Sequence, residues 1–364
     1  MSIVITGGNG FLGWHTRVLA HSLGRSCTSL GVGDRFNLDE AAAALSGAEI
    51  LVHIAGVNRG SDEEVAEGNR RFARQMEQAL EAADTANLKT VVYANSVQQD
   101  NDSVYGLAKR EAGAVLAEAA GRAGAEFKDV VLPNLFGEHG VPFYNSVVAT
   151  FCHLVAAGET PTVQDDKVLT LLHAQDAAEV LLGVRRHEEQ ELVEVQCSVS
   201  GLLERIQDMA AAYATGTIPR LDSDFERNLF NTYRSFLTGD GLPRVLELKT
   251  DPRGSFVELI RSEGGEGQSS FSTTKPGITR GQHYHRHKIE RFVVMSGTGE
   301  IAMRRMFSDE VVRYSVNGEQ PVAIDMPTMW SHNITNVGPN ELYTAFWVNE
   351  IFDPASPDTF PEEV

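Results

Sequence analysis

The sequence predicts an α/β domain built on a parallel sheet, followed by an all-β domain of antiparallel strands. The chain of 364 residues exceeds the size of one typical core. Its first two thirds alternate short apolar runs with segments of helical periodicity, and its last third changes to short alternating strands. The Gly- and Pro-containing run 237–246 separates these patterns, so we predict domains at 1–242 and 243–364.

Composition excludes several classes of protein. Hydrophobic residues at 42% and charged residues at 22% are typical of a globular protein. A formal charge of −19 argues against nucleic acid or an anionic membrane as a partner. Three widely spaced cysteines predict neither a disulfide framework nor a thiolate metal site. Apolar runs are too short for a bilayer span and no signal-peptide pattern is visible, so we expect a cytoplasmic protein.

The N-terminus reads as strand, glycine turn and helix. Ser2 to Thr6 are apolar and β-prone, and helical periodicity runs from Trp14 to Leu23. Between them, Gly7, Gly10 and Gly13 allow a tight turn that aims the N–H groups of the helix at a pyrophosphate. Further strands are predicted at Ser26 to Val32, Ile50 to Ala55, Thr90 to Ala94 and Phe127 to Leu132. A ligand crevice is therefore expected at the carboxyl ends of these strands.

Reactive side chains follow those strand ends. Ser96 follows the fourth predicted strand by two residues, and Tyr105 and Lys109 lie four residues apart on the next helix. Residues at this spacing share one helix face, so the ammonium is expected to lower the phenol pKa from its usual value of about 10. Tyr105 is then a proton donor. Such a pair is common on exposed helices, but the glycine turn and Ser96 make it specific.

Together these residues resemble the extended short-chain dehydrogenase/reductase family over roughly residues 1 to 240. The resemblance implies a Rossmann-like fold with Ser96, Tyr105 and Lys109 as catalytic residues. The residues that it assigns to a nicotinamide cofactor are Thr6, Gly7, Gly10, Phe11, Leu12, Gly13, Arg35, His53, Ala55, Gly56, Tyr105 and Lys109. Asp34 and Arg35 are adjacent at the end of the second strand, so the residues alone leave NADH and NADPH open.

The last third contains a metal-ligand pattern, G-x5-H-x-H-x4-E-x6-G, from Gly277 to Gly297. Alternate residues of a strand point to one face, so His283 and His285 can converge while Glu290 returns from the next strand. His332 offers a further imidazole. Histidines with one carboxylate suit Zn, Fe, Mn or Ni, with Zn as our first choice. The alternative is a solvated, His-rich turn without an ion.

The pattern resembles the two motifs of the cupin family, which implies a jelly-roll barrel with the metal inside. Met329 stands where that family usually carries Gly. The segments 251–258 and 275–283 are also similar to cupin-fold epimerases that act on 4-keto-6-deoxy sugars.

Over its full length the chain resembles capsular-polysaccharide enzymes of the CapF/WbjC type. The matching segments are AGVNR, PNLFG, YNSVVATFC, TKPGITRG and FWVNEIFDP. The resemblance implies a homodimer whose cupin inverts C3 of a UDP-4-keto-6-deoxy-N-acetylhexosamine and whose reductase reduces C4 with NADPH. The product would be UDP-2-acetamido-2,6-dideoxy-L-talose, a precursor of N-acetyl-L-fucosamine. Substrate contacts are predicted at Asn58, Asn134, Arg220 and Lys275.

Chemistry fixes the order of such steps. The C3 proton is acidic only while C4 is a ketone, so inversion must precede reduction. Candidates for the epimerase acid and base are Glu258, Lys275 and Tyr343. The rival hypothesis is a simple keto-sugar reductase whose cupin serves dimerisation or stability. An oxidative cupin that uses Fe and O2 ranks last, because no cosubstrate signal accompanies it.

Overall fold

The computed structural model describes residues 1–237, 239–252 and 254–364. The chain folds into two compact units, one formed by 1–136 with 168–197 and the other by 137–167 with 198–364. The predicted boundary between residues 242 and 243 lies within the second unit. The division of the sequence into domains 1–242 and 243–364 stays a prediction. The two units are described separately below.

The helices α1 to α8 span Phe11–Ser22, Leu38–Leu45, Asp62–Ala82, Val104–Arg122, Val147–Ala156, Ala174–Leu181, Val199–Ala214 and Asp224–Arg234. The strands β1 to β11 span Ser2–Thr6, Ser26–Leu30, Ile50–His53, Thr90–Ser96, Glu126–Leu132, Asn134–Phe136, Val168–His173, Val195–Ser198, Thr217–Ile218, Arg244–Val245 and Lys249–Asp251. The strands β12 to β22 span Gly254–Phe256, Arg261–Ser262, Gln268–Thr274, Thr279–Tyr284, Glu290–Ser296, Thr298–Arg305, Val311–Asn317, Val322–Met326, Trp330–Asn336, Leu342–Val348 and Phe360–Pro361.

The first unit is built on a parallel sheet with strand order β2-β1-β3-β4-β5. Side chains of β1 alternate between its faces, as a strand requires. Ile3 and Ile5 pack in the core on the side of α1 and α6, whereas Val4 packs in the core formed with α2, α3 and α4. A parallel sheet covered by helices on both faces confirms the predicted α/β class.

The second unit contains an antiparallel barrel of two five-stranded sheets, ordered β10-β19-β16-β21-β14 and β18-β17-β20-β15-β22. One buried cluster takes side chains from both sheets, among them Phe292 and Ile324 from the first and Ile301 and Ile334 from the second. Alternating inward-facing residues of two sheets form such a core. The predicted all-β class is confirmed.

A buried polar network joins α7 to the barrel within the second unit. The guanidinium of Arg291 on β16 donates from Nε to Oδ1 of Asp325 on β19 at 2.6 Å, and Tyr213 on α7 donates its hydroxyl to Oδ2 at 2.5 Å. Burial alone would raise the pKa of the Asp325 carboxyl, but the adjacent Arg291 charge and these hydrogen bonds hold it at about 2. The carboxylate is therefore ionised and fully paired.

No helix in the described ranges is long and apolar enough to cross a membrane.

Candidate functional site

The glycine turn after β1 has the geometry that the sequence predicts. Gly7 has a φ of 73°, and a Cβ on it would lie 2.8 Å from the backbone N of Ala55 at the end of β3. A Cβ on Gly13 would lie 2.0 Å from the carbonyl oxygen of Gly7. Glycine at both positions thus lets α1 begin directly against the turn. Gly10 caps this helix without a side chain, so its first N–H groups are available to an anionic ligand.

Thr6 and His53 are joined below this turn. The hydroxyl of Thr6 accepts the backbone N–H groups of Ile54 and Ala55 at 3.2 and 3.3 Å, and it lies 3.0 Å from Nδ1 of His53. Because the hydroxyl oxygen already accepts, its proton is best placed toward Nδ1. Burial lowers the pKa of His53 to about 3, and the charge of Lys109 acts in the same direction. His53 is therefore a neutral, fixed part of the crevice.

The Tyr105 and Lys109 side chains do not interact as the sequence predicted. Burial raises the pKa of Tyr105, and no lowering by Lys109 accompanies it. Instead the Lys109 ammonium donates to the carbonyl oxygen of Ala94 at 2.7 Å and lies 4.1 Å from the centroid of the Tyr93 ring. Burial also lowers the pKa of Lys109 to about 7, against the opposing charge of Asp129. The expected lowering of the phenol pKa was wrong because both groups are desolvated.

Ser96 and Tyr105 are nine positions apart, and a 3-10 turn over Val97–Asp100 forms the first part of the connection between them. Ser96 caps this turn and accepts the backbone N–H of Gln98 at 3.2 Å. A Cβ on Gly106 would lie 2.0 Å from the Gln98 carbonyl oxygen, so glycine lets α4 begin close to the turn. Ser96 therefore stands at the carboxyl end of β4, and Tyr105 in the first turn of α4 follows it across this short connection.

A cavity of about 1040 Å³ lies beyond the end of β2 and contains Arg35. Arg35 is exposed, and Asp34 pairs with Arg71 of α3 at 2.7 Å. The cavity is also lined by Arg59, Arg71 and Arg74. The sequence left Asp34 and Arg35 as alternative contacts for the cofactor ribose. In the structure Asp34 is paired with Arg71, which partly neutralises its charge.

The four predicted substrate contacts are exposed. Asn134 donates its amide to the carbonyl oxygen of Thr170 at 3.2 Å. Arg220 pairs through Nε with Asp222 at 2.6 Å. Asn58 and Asn134 belong to the first unit, and Arg220 and Lys275 to the second. These four assignments stay predictions.

The predicted metal ligands form one cluster in the barrel. The ligand atoms of His283, His285, Glu290 and His332 all lie within 4.8 Å of one another. His283 and His285 come from β15 and the residue that follows it, Glu290 begins β16, and His332 lies on β20. Nε2 of His285 and of His332 each lie 3.1 Å from the same Glu290 oxygen.

The outer nitrogens of these rings have backbone partners. Nδ1 of His285 lies 2.7 Å from the carbonyl oxygen of Asp358, and Nδ1 of His332 lies 3.1 Å from that of Trp330. A carbonyl can only accept, so each Nδ1 carries the proton and Nε2 faces the cluster. Burial and the neighbouring imidazoles lower the pKa of His283 to about 4. Three imidazoles and one carboxylate, with two of the rings held in this way, fit a divalent ion such as Zn.

Met329 adopts the backbone conformation for which the cupin family usually has Gly. Its φ is 61°, its side chain is buried, and its N–H donates to the carbonyl oxygen of His285 at 2.7 Å. The left-handed turn is thus preserved with a methionine, at a backbone cost that the surrounding packing must offset.

Comparison with known proteins agrees with both parts of this geometry. Residues 3–195 match the NAD dependent epimerase/dehydratase family, and residues 249–360 match the polysaccharide biosynthesis C-terminal domain. The chain is 31% identical to the UDP-2-acetamido-2,6-beta-L-arabino-hexul-4-ose reductase of Pseudomonas aeruginosa, over 99% of this chain and 98% of that protein. It is 33% identical to the capsular polysaccharide assembling protein CapF of Staphylococcus aureus, with a TM-score of 0.62 and all of both chains covered. The chain belongs to the CapF-type family of capsular polysaccharide enzymes.

A third relative is the spore coat polysaccharide biosynthesis protein SpsL of Bacillus subtilis, 23% identical over 118 residues, which are 30% of this chain and 78% of SpsL. The two full-length matches, to the Pseudomonas aeruginosa reductase and to CapF, confirm the resemblance to CapF-type enzymes that the sequence indicated. Membership in the epimerase/dehydratase family implies a nicotinamide cofactor for this CapF-type chain, and its glycine turn is the structural counterpart.

Sequence reasoning missed several residues of these sites. Arg71 and Arg74 face the Arg35 cavity from α3, and no motif connects them with β2. Tyr93 contacts Lys109 through its ring, although its strand reads as ordinary core. Asp358 contacts His285 across 73 positions of sequence. Only the folded chain brings such residues together.

Proposed function

We propose that this CapF-type chain is a bifunctional nucleotide-sugar enzyme. Its barrel would invert C3 of a UDP-4-keto-6-deoxy-N-acetylhexosamine, and its α/β unit would then reduce C4 to give UDP-2-acetamido-2,6-dideoxy-L-talose. The observation that carries the proposal is the cluster of His283, His285, Glu290 and His332, in a chain that also has a reductase crevice. The reductase relative in Pseudomonas aeruginosa supports the substrate class, a UDP-linked 4-keto sugar.

The reduction uses groups of the first unit. A bound nicotinamide cofactor would supply hydride, and Tyr105 would donate a proton to the C4 oxygen as it gains negative charge. A phenol whose pKa is raised by burial stays protonated until it is needed. Lys109, held between the Ala94 carbonyl and the Tyr93 ring, would orient the cofactor ribose and compensate the charge left on Tyr105. Ser96 would donate to the carbonyl.

NADPH is the proposed cofactor. A 2′-phosphate carries negative charge. The cavity at the end of β2 is lined by four arginines, Arg35, Arg59, Arg71 and Arg74, against three carboxylates, Asp34, Glu64 and Glu67. The only acidic residue directly beside Arg35 in sequence, Asp34, pairs with Arg71. Arginine presents a fork of donors that matches phosphate oxygens, which favours NADPH over NADH at this position.

The inversion uses groups of the second unit. A divalent ion held by the four-residue cluster, with Zn as first choice, would act as a Lewis acid toward the sugar carbonyl. The neutral His283 and the two rings with fixed tautomers would hold this ion without reorganising. Removal and return of the C3 proton require an acid and a base, for which Glu258, Lys275 and Tyr343 remain the candidates.

We also propose a homodimer, which light scattering on the purified protein would test.

The test is the configuration of the product. Purified enzyme is incubated with the UDP-4-keto sugar and NADPH, and the product is analysed at C3 and C4 by NMR. We expect inversion at C3 together with reduction at C4. Reduction with C3 unchanged would instead support a simple reductase with a structural barrel.

A variant separates the two steps. Tyr105→Phe should abolish NADPH oxidation while leaving C3 inversion intact, since the phenol serves only the reduction. Tyr314→Phe is the matched control, because this tyrosine lies on β18 and its hydroxyl donates to the Gly239 carbonyl at 3.0 Å. Loss of both reactions in Tyr105→Phe would contradict the assignment of separate sites.

A further inference from the structure

We propose that Asp358 is a positioning residue of the barrel metal centre, which fixes the direction and tautomer of the ligand His285. The inference rests on the proposed function, because it assumes that His283, His285, Glu290 and His332 bind an ion. It adds a residue that no ligand pattern of the sequence contains.

The main chain of Asp358 acts on the ligand ring. Its carbonyl oxygen lies 2.7 Å from Nδ1 of His285, and this ring is buried. A carbonyl oxygen cannot donate, so the proton is confined to Nδ1 and the lone pair to Nε2. Nε2 in turn lies 3.1 Å from the Glu290 carboxylate, on the inner side of the cluster. The contact is therefore the hydrogen bond that a metal-binding imidazole requires at its other nitrogen.

The side chain of Asp358 acts on the loop between two ligands. Its carboxylate accepts the backbone N–H groups of Arg286, His287 and Lys288 at 3.1, 2.9 and 2.8 Å. This loop connects His285 with Glu290, so three charge-assisted hydrogen bonds hold the spacing of the ligands. Asp358 itself has a φ of 40°, a left-handed backbone in which aspartate and asparagine are tolerated better than most residues.

The segment around Asp358 is anchored on the strands that carry the ligands. Strand β22 pairs with β15, and the ring of Phe360 stacks on Tyr284 with centroids 5.3 Å apart. The carboxylate of Glu362 forms an ion pair with Arg304 at 2.8 Å. The backbone carbonyl of Glu362 accepts the hydroxyl of Ser331, which precedes His332, at 2.5 Å. The segment that follows Asp358 is thus anchored on β15, β17 and β20, which limits the movement of Asp358 beside His285.

The alternative is that Asp358 only caps the 286–288 loop and contributes to stability alone. The two roles predict different results for metal affinity. Without the carboxylate, residue 358 and the 286–288 loop lose their connection, so the backbone carbonyl of residue 358 is no longer held against Nδ1 of His285. Loss of such a hydrogen bond to a metal ligand typically weakens metal binding about 10- to 100-fold. A stability role would lower resistance to unfolding of the metal-free protein and leave the affinity of the folded site unchanged.

The experiment measures Zn²⁺ affinity of the full-length, metal-stripped protein by competition with a chromophoric chelator. Asp358→Gly removes the carboxylate and keeps the left-handed backbone accessible. Asp358→Asn keeps one acceptor oxygen and the same backbone tolerance. Asp166→Gly is the matched control, since this exposed carboxylate also accepts a backbone N–H, that of Ser200 in α7 at 2.8 Å, and the contacts of Asp358 stay in place. Unfolding of each metal-free variant is followed in urea.

We expect Asp358→Gly to weaken Zn²⁺ binding at least 10-fold, and Asp358→Asn, which keeps one of the two acceptor oxygens, to weaken it less. Asp166→Gly should bind as the wild type does. Wild-type affinity in Asp358→Gly, or an equal loss in Asp166→Gly, would overturn the inference. If Asp358→Gly does not fold, Asp358→Asn decides, and wild-type affinity in that variant overturns the inference. A wild type that binds no divalent ion refutes the proposed metal centre itself, and the inference with it.

Discussion

Replacement of Gly13 by alanine tests how the glycine turn holds a dinucleotide. The added Cβ would lie 2.0 Å from the carbonyl oxygen of Gly7 and 2.7 Å from the Cα of Gly8. Both are backbone atoms of the turn, and Gly7 itself is confined by Ala55. Because such contacts need at least about 3 Å, α1 must move away by about 1 Å.

The expected magnitudes follow from that displacement. Overpacking of this kind costs about 1–3 kcal/mol, partly offset by about 1 kcal/mol from the higher helix propensity of alanine. The N–H groups that begin α1 move with the helix. A hydrogen bond to a charged group contributes about 1.5–3 kcal/mol, so loss of one should weaken cofactor binding about 10- to 100-fold.

Titration calorimetry with NADPH and urea unfolding measure the two effects. Gly121→Ala is the matched control, because this glycine lies in α4 and a Cβ on it would meet none of the described residues outside its own helix turn within 4 Å. It should stabilise the protein by about 0.5–1 kcal/mol and leave NADPH affinity unchanged. Wild-type NADPH affinity in Gly13→Ala would refute the account of this turn.

Three further substitutions test the energetics of buried groups. Burial lowers the pKa of Lys109 to about 7, so the charged ammonium destabilises the folded protein below that pH. The destabilisation fades as the pH rises from there toward the pKa of lysine in the unfolded chain. Lys109→Met should therefore stabilise the cofactor-free protein most below pH 7, as measured by urea unfolding at several pH values. Asp325 has a pKa of about 2 in the folded protein, so its stabilisation is present above about pH 4 and is lost as the pH falls toward 2. Asp325→Asn should lower the free energy of unfolding by about 3–5 kcal/mol at neutral pH and by less at pH 2. The same pH dependence of unfolding in the variant and the wild type would contradict the pairing with Arg291. Met329→Gly should relieve about 1–2 kcal/mol of left-handed strain but lose about 2–5 kcal/mol of buried side-chain packing, so thermal unfolding should show net destabilisation.

Local patterns made much of the fold predictable. The alternation of Ser2–Thr6 and the glycines after it specify a strand, a turn and a helix within one short segment, and the structure has β1 and α1 there. The ligand cluster was also accessible, because the side-chain period of a strand places His283 and His285 on one face. In both cases the informative residues are neighbours in sequence.

Tertiary environment decided what local patterns could not. Spacing alone suggested that Lys109 would lower the pKa of Tyr105, but burial of both groups dominates in the folded protein. The contact between Asp358 and His285 joins residues far apart in the chain, and it leaves no periodic signal. The same holds for the arginines that face Arg35 from α3.

Exchange of solvent deuterium into the sugar tests the central claim most directly. The zinc-loaded enzyme is incubated in D2O with the UDP-4-keto sugar and without any nicotinamide cofactor, and the label is located by NMR. We predict deuterium at C3 in the wild type and in Tyr105→Phe, and none in His283→Ala, which lacks one ligand of the cluster. A wild type that leaves C3 unlabelled would contradict epimerisation by the barrel.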